Sequence, residues 1–233
     1  MLFHIAEVIG PAETAALREV MTEVLFRDGR QTAGWHARER KSNLQADPDV
    51  PLVTGALRKV EAALLGNEVF QAAARPKTII GLLLSRYEPG MAYDTHIDDA
   101  LIADQRTDLA FTLFLSEPDS YDGGELAIER TEGKRGFKLP AGHLLLYPAT
   151  TLHRVAPVTR GIRLAAVGWV RSFVRGHIQR ELLFDLGGDR AAAQRWGSRA
   201  RAGSDPENTR QSIASVAGGL GPHRAQRLPR REN

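Results

Sequence analysis

A histidine and a carboxylate stand two residues apart in the stretch Tyr87–Asp99, "YEPGMAYDTHIDD". In a strand, residues i and i+2 point to the same face, separated by roughly 6.6 Å of backbone, so His96 and Asp98 can reach one shared point. That point suits a metal ion. Asp99 is the rival carboxylate, but on a regular strand it faces away from His96. A third ligand must come from elsewhere, and the candidate is His153 in "PATTLHRV", where the apolar run "HLLLYP" delivers the chain to a polar edge. Two imidazoles and one carboxylate on one side of a metal leave three cis positions open, the facial arrangement of non-haem Fe(II) sites. Zinc binds the same groups, so the ligand set alone does not fix the metal.

Ten residues after His153 stands Arg163, inside the apolar run "IRLAAVGWV". An arginine in such a strand is costly unless its charge is paired, and a planar guanidinium is suited to gripping a carboxylate through two hydrogen bonds. Alternation puts Arg163, Ala165, Val167 and Trp169 on one face. If that face looks inward, Arg163 can clasp a dicarboxylate whose other end chelates the metal, with Trp169 shaping the substrate side or filling core.

The elements that must position these groups follow from periodicity. "PAETAALREVMTEVLF" carries Leu17, Val20, Met21, Val24 and Leu25 at helical spacing, and a second helical pattern runs from about Pro51 to Leu65 with Leu52, Leu57, Val60 and Leu64 on its apolar side. Between them "GWHARERKSNLQADPDV" reads as polar loop. From Lys77 the texture changes to short runs, "KTIIGLLLSRY", "DLAFTLFLS", "GELAIER", "GHLLLYP" and "IRLAAVGWVRSFV", separated by Gly, Pro and Asp clusters. Such spacing predicts an antiparallel sandwich or barrel, with a jelly roll the natural candidate. Gly123 and Gly124 read as turn or bulge residues, because no helix start follows them. "GHIQRELLFDL" predicts a closing helix, and beyond Gly187 the chain becomes rich in Arg, Ala, Gly and Ser. That composition predicts a poorly ordered tail with a short helix near "AAAQRW".

The organisation expected is therefore α+β: residues 1–76 a helical and loop support, 77–186 the catalytic sheet core, and 187–233 a basic tail. The 233 residues contain no cysteine, which excludes disulfides and thiol catalysis and fits a cytoplasmic protein. No apolar run reaches the 18 or more residues of a membrane span, and the opening "MLFHIAEVIG" lacks the basic region of a secretory signal. From Gly187 to Asn233 nine arginines face four acids, a net of +5, so residues 1–186 carry −2 of the overall +3. Basicity confined to the tail argues against nucleic acid as the partner of the fold. His4, His36, His143, His177 and His223 have no partners at meaningful spacing and read as structural or solvated.

Taken together, "YEPGMAYDTHID", "SEPDSYDGGELAIE", "LPAGHLLLYPATTLHRV" and "RLAAVGWVRS" resemble the Fe(II)- and 2-oxoglutarate-dependent dioxygenases of the prolyl 4-hydroxylase type, and most closely the bacterial PKHD-type hydroxylases. The likeness extends more loosely to "DGRQTAG" and "KSNLQ" and covers roughly residues 1–186. It implies a double-stranded β-helix core flanked by N-terminal helices and a short C-terminal one. It implies Fe(2+) on His96, Asp98 and His153, the distal carboxylate of 2-oxoglutarate on Arg163, and Tyr87 as a hydrogen-bonding neighbour of that cosubstrate. L-Ascorbate is the implied reductant, and hydroxylation with release of succinate and CO2 the implied reaction. The same likeness makes Lys41 and Asn43 candidates to face the substrate, against a solvated loop as the plainer reading; Tyr93 lines the pocket or only packs. The Arg-rich tail departs from the helical ending of relatives. The substrate, small molecule or peptide, is not specified, and a homo-oligomer is compatible with the chain. Two other readings stay open: a metal-binding, cupin-like sensor or storage module, which has no use for Arg163, and a nucleic-acid repair oxygenase, against which the spacing of ten from His153 to Arg163 counts.

Overall fold

Pro11 opens the first helix because its fixed φ suits the first helical position and its missing N–H costs nothing there. The computed structural model describes residues 2–32, 38–130 and 133–187. After the short strand β1 (Phe3–Ile5), helix α1 (Pro11–Glu23) starts at Gly10, whose N–H donates to the Glu13 carboxylate at 2.6 Å. Thr14, Leu17 and Met21 form its buried stripe. Val24 and Leu25, expected on this helix, fall beyond its end, and Leu25 is 87% exposed. Strands β2 (Phe26–Asp28), β3 (Lys41–Ser42) and β4 (Leu44–Ala46) follow, so the stretch before the second helix is not loop alone. The N-terminal 76 residues thus contribute strands as well as helices.

Helix α2 (Pro51–Gly66) buries Val53, Ala56, Val60 and Leu64, and leaves Leu52 exposed. Val60 and Leu64 of the expected stripe are buried, Leu57 is partly buried against the same core, and Val53 and Ala56 complete the face. A short helix that periodicity did not reveal, α3 (Glu68–Ala74), is capped by Asn67 Oδ1, which accepts from the Phe70 N–H at 2.9 Å. It ends at Arg75, in the left-handed region at φ 44°, and Pro76 turns the chain into the long strand β5 (Pro76–Tyr87).

The remaining strands are β6 (Ala92–His96), the hairpin β7 (Leu101–Ile102) and β8 (Gln105–Arg106), β9 (Leu109–Phe114), β10 (Asp122–Gly123), β11 (Leu126–Arg130), β12 (Gly133–Phe137), β13 (Leu144–Pro148), β14 (His153–Val155), β15 (Val158–Arg160) and β16 (Arg163–Ser172). They form a large antiparallel sheet ordered β1-β13-β9-β16-β5-β4-β2 and a smaller one ordered β12-β11-β14-β6-β3. Period-two alternation divides each central strand between two cores. Leu144 and Leu146 of β13 join α1, α2 and α3 in one apolar cluster, whereas Leu145 and Tyr147 meet Leu126, Ile128 and Val155 of the small sheet in another. The order is therefore helices, large sheet, small sheet. Each fully buried Leu or Phe of these clusters contributes about 1.5–3 kcal/mol, and Phe70 adds an edge-on contact with Phe111 at 6.0 Å.

The segment from Lys41 to Ala46 joins the two sheets. Lys41 and Ser42 pair with Tyr93 and Ala92 of the small sheet, and two residues later Leu44 and Gln45 pair with Arg86 and Ser85 of the large one. A helix covers residues 177–187, with Phe184 packed on Phe3 at 4.6 Å between ring centroids. Residues 1–185 form one compact unit. The expected tail, with its helix near "AAAQRW", His223 and, earlier in the chain, His36 lie outside the described residues. Among those that are described, no helix is long and apolar enough to cross a membrane.

Candidate active site

Antiparallel pairing of β6 with β14 sets His96 directly opposite His153. Just past the end of β6, the backbone N–H of Asp98 donates to Ala149 O at 3.2 Å, which pins its loop against the turn leading to His153. One nitrogen from each ring and one Asp98 oxygen lie within 4.8 Å of one another, and His153 Nε2 stands 3.9 Å from Asp98 Oδ1. Asp98 points inward with its side chain 7% exposed, while Asp99 is exposed, so the rival carboxylate lies outside the cluster.

Hydrogen bonding fixes which nitrogens face inward. His96 Nδ1 lies 2.7 Å from Asp94 O and His153 Nδ1 lies 2.9 Å from Thr151 O. A carbonyl only accepts, so each Nδ1 carries the proton and each Nε2 keeps a lone pair for a metal. Burial, and next the neighbouring His153, push His96 down to about 3, so it is neutral at pH 7. Asp98 is raised chiefly by burial, an effect that the neighbouring His153 opposes, and among the described residues its Oδ2 has no hydrogen-bond partner. The indole of Trp169 stands close to this carboxylate, yet its N–H is also buried without a partner. Two imidazoles with their Nε2 atoms turned inward and one carboxylate with an unsatisfied oxygen are a donor set that fits a divalent ion.

Aromatic rings frame the cluster. Tyr93 stacks on His96 with centroids 3.7 Å apart, and Tyr147 meets His153 edge-on at 5.0 Å. Beneath lies a cleft of about 710 Å³ between the sheets, whose lining includes His96, Asp98, His153, Tyr87, Tyr93, Arg163 and Trp169.

Arg163 is 1% exposed at the start of β16, directly opposite Tyr87 of β5. Its guanidinium lies 5.2 Å from the centre of the Tyr87 ring and 5.6 Å from that of Phe114. Among the described residues its Nε has no hydrogen-bond partner, and no ion pair there includes it. A buried cation in that condition calls for an anion from outside the chain. Burial raises the Tyr87 hydroxyl, opposed by Arg163 and by Ser85 and Asn43 beside it. The buried Tyr121 hydroxyl has no hydrogen-bond partner and is raised by the same cause.

Two contributors, Tyr121 and Gly124, were not evident from sequence as parts of the site. Tyr121 precedes the glycine pair and reaches the Arg163 region, and a Cβ on Gly124 would meet the Arg163 Cδ at 3.2 Å, so this glycine packs against the arginine stem. Lys41 and Asn43, expected in a loop, are both buried and line the cleft. The Asn43 amide donates to Ser85 Oγ at 2.9 Å, and its oxygen occupies the space that a Cβ on Gly29 would need. His4 and His143, read as lacking partners, face each other across β1 and the turn before β13, with His4 Nε2 2.9 Å from His143 Nδ1.

These features have counterparts. Residues 82–171 match the 2OG-Fe(II) oxygenase superfamily. A PKHD-type hydroxylase from a Synechococcus strain is 53% identical over 194 residues, covering 80% of this chain and 85% of its own. A second, from Parvibaculum lavamentivorans, is 50% identical over 201 residues, covering 86% and 91%. The fold is similar to the crystal structure of a Pseudomonas putida prolyl-4-hydroxylase, with a TM-score of 0.52 at 22% identity over 74% of this chain and 93% of that one. A jelly-roll oxygenase is thus the class that fold and sequence define. Within it, the chain belongs to the PKHD-type hydroxylases, Fe(II)- and 2-oxoglutarate-dependent enzymes for which L-ascorbate is the typical reductant.

Proposed function

We propose that His96 Nε2, Asp98 and His153 Nε2 hold the iron, that Arg163 takes the distal carboxylate of 2-oxoglutarate with Tyr87 and Tyr121 beside it, and that the substrate enters the same cleft on a double-stranded β-helix core. The observation that carries this reading is the buried Arg163, which among the described residues joins no ion pair and has an Nε without a partner, in a cleft that also contains the His-Asp-His cluster. When bound, iron with 2-oxoglutarate and dioxygen supplies the chemistry: oxidative decarboxylation to succinate and CO2, with hydroxylation of a substrate C–H bond. The protein's own part is orientation and exclusion of water. Carbonyl bonds to each Nδ1–H lock the imidazole planes, and the aromatic walls keep bulk water from the cluster. A fixed guanidinium lets a five-carbon dicarboxylate bind in one direction only. A cupin-like metal module does not account for the arginine. We place the enzyme in the cytoplasm, a setting that suits a chain without cysteine.

The test is an anaerobic titration of the purified protein with Fe(II) and then 2-oxoglutarate, following the visible metal-to-ligand charge-transfer band. The native protein should develop the band, and Arg163→Ala should need about a hundredfold more 2-oxoglutarate, the equivalent of about 2.7 kcal/mol, while binding iron normally. An unchanged 2-oxoglutarate midpoint in the variant would remove Arg163 from the role.

A further inference from the structure

Two buried polar side chains, Asn43 and Ser85, line the cleft beside the groups assigned to the iron and the cosubstrate. Asn43 lies between β3 and β4, Ser85 lies on β5, and the Asn43 Nδ2 donates to Ser85 Oγ at 2.9 Å. Residues i and i+2 of a strand share a face, so Ser85 stands on the Tyr87 side of β5. On the neighbouring β16 the pair is mirrored, with Ala165 opposite Ser85 and Arg163 opposite Tyr87. We propose that Asn43 and Ser85 are positioning residues, which turn the Tyr87 hydroxyl proton toward the carboxylate that Arg163 takes. The assignment rests on the 2-oxoglutarate roles given above to Arg163 and Tyr87.

The direction of this chain of groups follows from what each can donate. A carboxamide has separate donor and acceptor ends. Asn43 gives Ser85 its N–H end, while its Oδ1 is turned to Gly29, filling the space that a Cβ there would need. That oxygen has no hydrogen-bond partner among the described residues, so the amide is committed to the site by its donor end. Ser85 therefore receives one hydrogen bond and keeps its own O–H to give. The Tyr87 oxygen is the acceptor beside it: burial raises this phenol, and Arg163, then Ser85 and Asn43, oppose the rise, as groups that stabilise negative charge on the oxygen do. A phenol that accepts from Ser85 does not donate back along the same contact, so its single proton is left for another acceptor. The neighbouring Arg163, buried with an Nε that lacks a partner among the described residues, marks where an anionic acceptor binds. Hydrogen bonds in series polarise one another, so a phenol held this way is a better donor to that carboxylate than a tyrosine whose hydroxyl is free to turn.

The experiment is the anaerobic charge-transfer titration of the full chain, run as a double-mutant cycle. Tyr87→Phe should raise the 2-oxoglutarate midpoint about tenfold, the loss of one hydrogen bond to a charged group. Ser85→Ala should raise it about fivefold in the native background but less than about 1.5-fold in the Tyr87→Phe background, because the serine acts only through the phenol. Both single variants and the double variant should bind Fe(II) as the native protein does. A serine that merely packs would instead shift the midpoint by the same factor in both backgrounds. That result overturns the assignment, as does a Ser85→Ala midpoint equal to native. A Tyr87→Phe midpoint equal to native overturns it too, since the phenol then has no part in binding. Should Ser85→Ala not fold, Asn43→Ala taken through the same cycle decides by the same two criteria. If the native protein forms no band, the iron and cosubstrate reading fails and these roles go with it. A band that Arg163→Ala weakens, together with an additive cycle, leaves that reading standing and strikes the positioning roles alone.

Discussion

At the scale of single residues, the His-Asp-His cluster is held in place by bonds that have nothing to do with a metal. Each histidine donates to a carbonyl two residues earlier in its own strand or turn, so the inward lone pairs exist before any ion arrives. The neutrality of His96 has a thermodynamic consequence. Its folded-state pKa, about 3, lies below the unfolded value near 6.5, so between those pH values the unfolded chain binds the extra proton and stability falls as pH falls. His96 should cost the metal-free protein about 1.4 kcal/mol per pH unit below 6.5. Asp98, raised by burial, acts in the opposite sense, so the useful measurement is urea unfolding against pH for native protein and His96→Gln side by side. The variant should show the shallower acid slope, and equal slopes would mean that His96 is protonated in the fold. His96, Asp98, His153 and Arg163 could be found in the sequence because two of them share a strand pattern and the others interrupt apolar runs. Lys41 was a candidate by resemblance alone: its burial comes from pairing with Tyr93, fifty-two positions on, which no local pattern encodes.

Among the elements, those with strong periodicity were legible and those with tertiary causes were not. The five apolar runs after Lys77 all became strands, and "GHIQRELLFDL" became the helix over 177–187. Helix α3 was missed because seven residues give too few turns to display a period, and its burial depends on Phe70 finding Phe111. The glycine pair before β11 reads from sequence as turn or bulge residues, while the reason for it lies in the fold. Both residues have positive φ, and a Cβ on Gly123 would stand 2.0 Å from Pro157 O. Gly124 combines a φ of 67° with packing on the Arg163 stem, so Gly124→Ala is expected to lose about 1–2 kcal/mol of stability from backbone strain and to weaken 2-oxoglutarate binding severalfold. Chemical denaturation together with the charge-transfer titration checks both effects. Lost stability with an unaltered titration would show that the glycine serves the turn alone.

For the whole molecule, the groups assigned to metal and cosubstrate all fall between Asn43 and Arg163, within the unit formed by residues 1–185. A chain ended after Gly187 is therefore expected to reproduce the iron and 2-oxoglutarate titration of the full protein within about twofold, even though it lacks the arginine-rich end; failure to form the band would tie that end to the site. The segment from Lys41 to Ala46, stitched to one sheet by two residues and to the other by the next three, has a kinetic meaning as well. Its first part, β3, is a two-residue edge strand paired on one side alone and belongs among the least protected parts of the fold, whereas β4, like the strands that position His96 and His153, is paired to neighbours on both sides. Amide hydrogens of Lys41 and Ser42 should exchange well before those of β11 and β14, a difference that mass spectrometry of peptic fragments resolves. Local opening there would peel away one wall of the cleft while the metal ligands stay paired, so that substrate and product can come and go on a faster clock than iron.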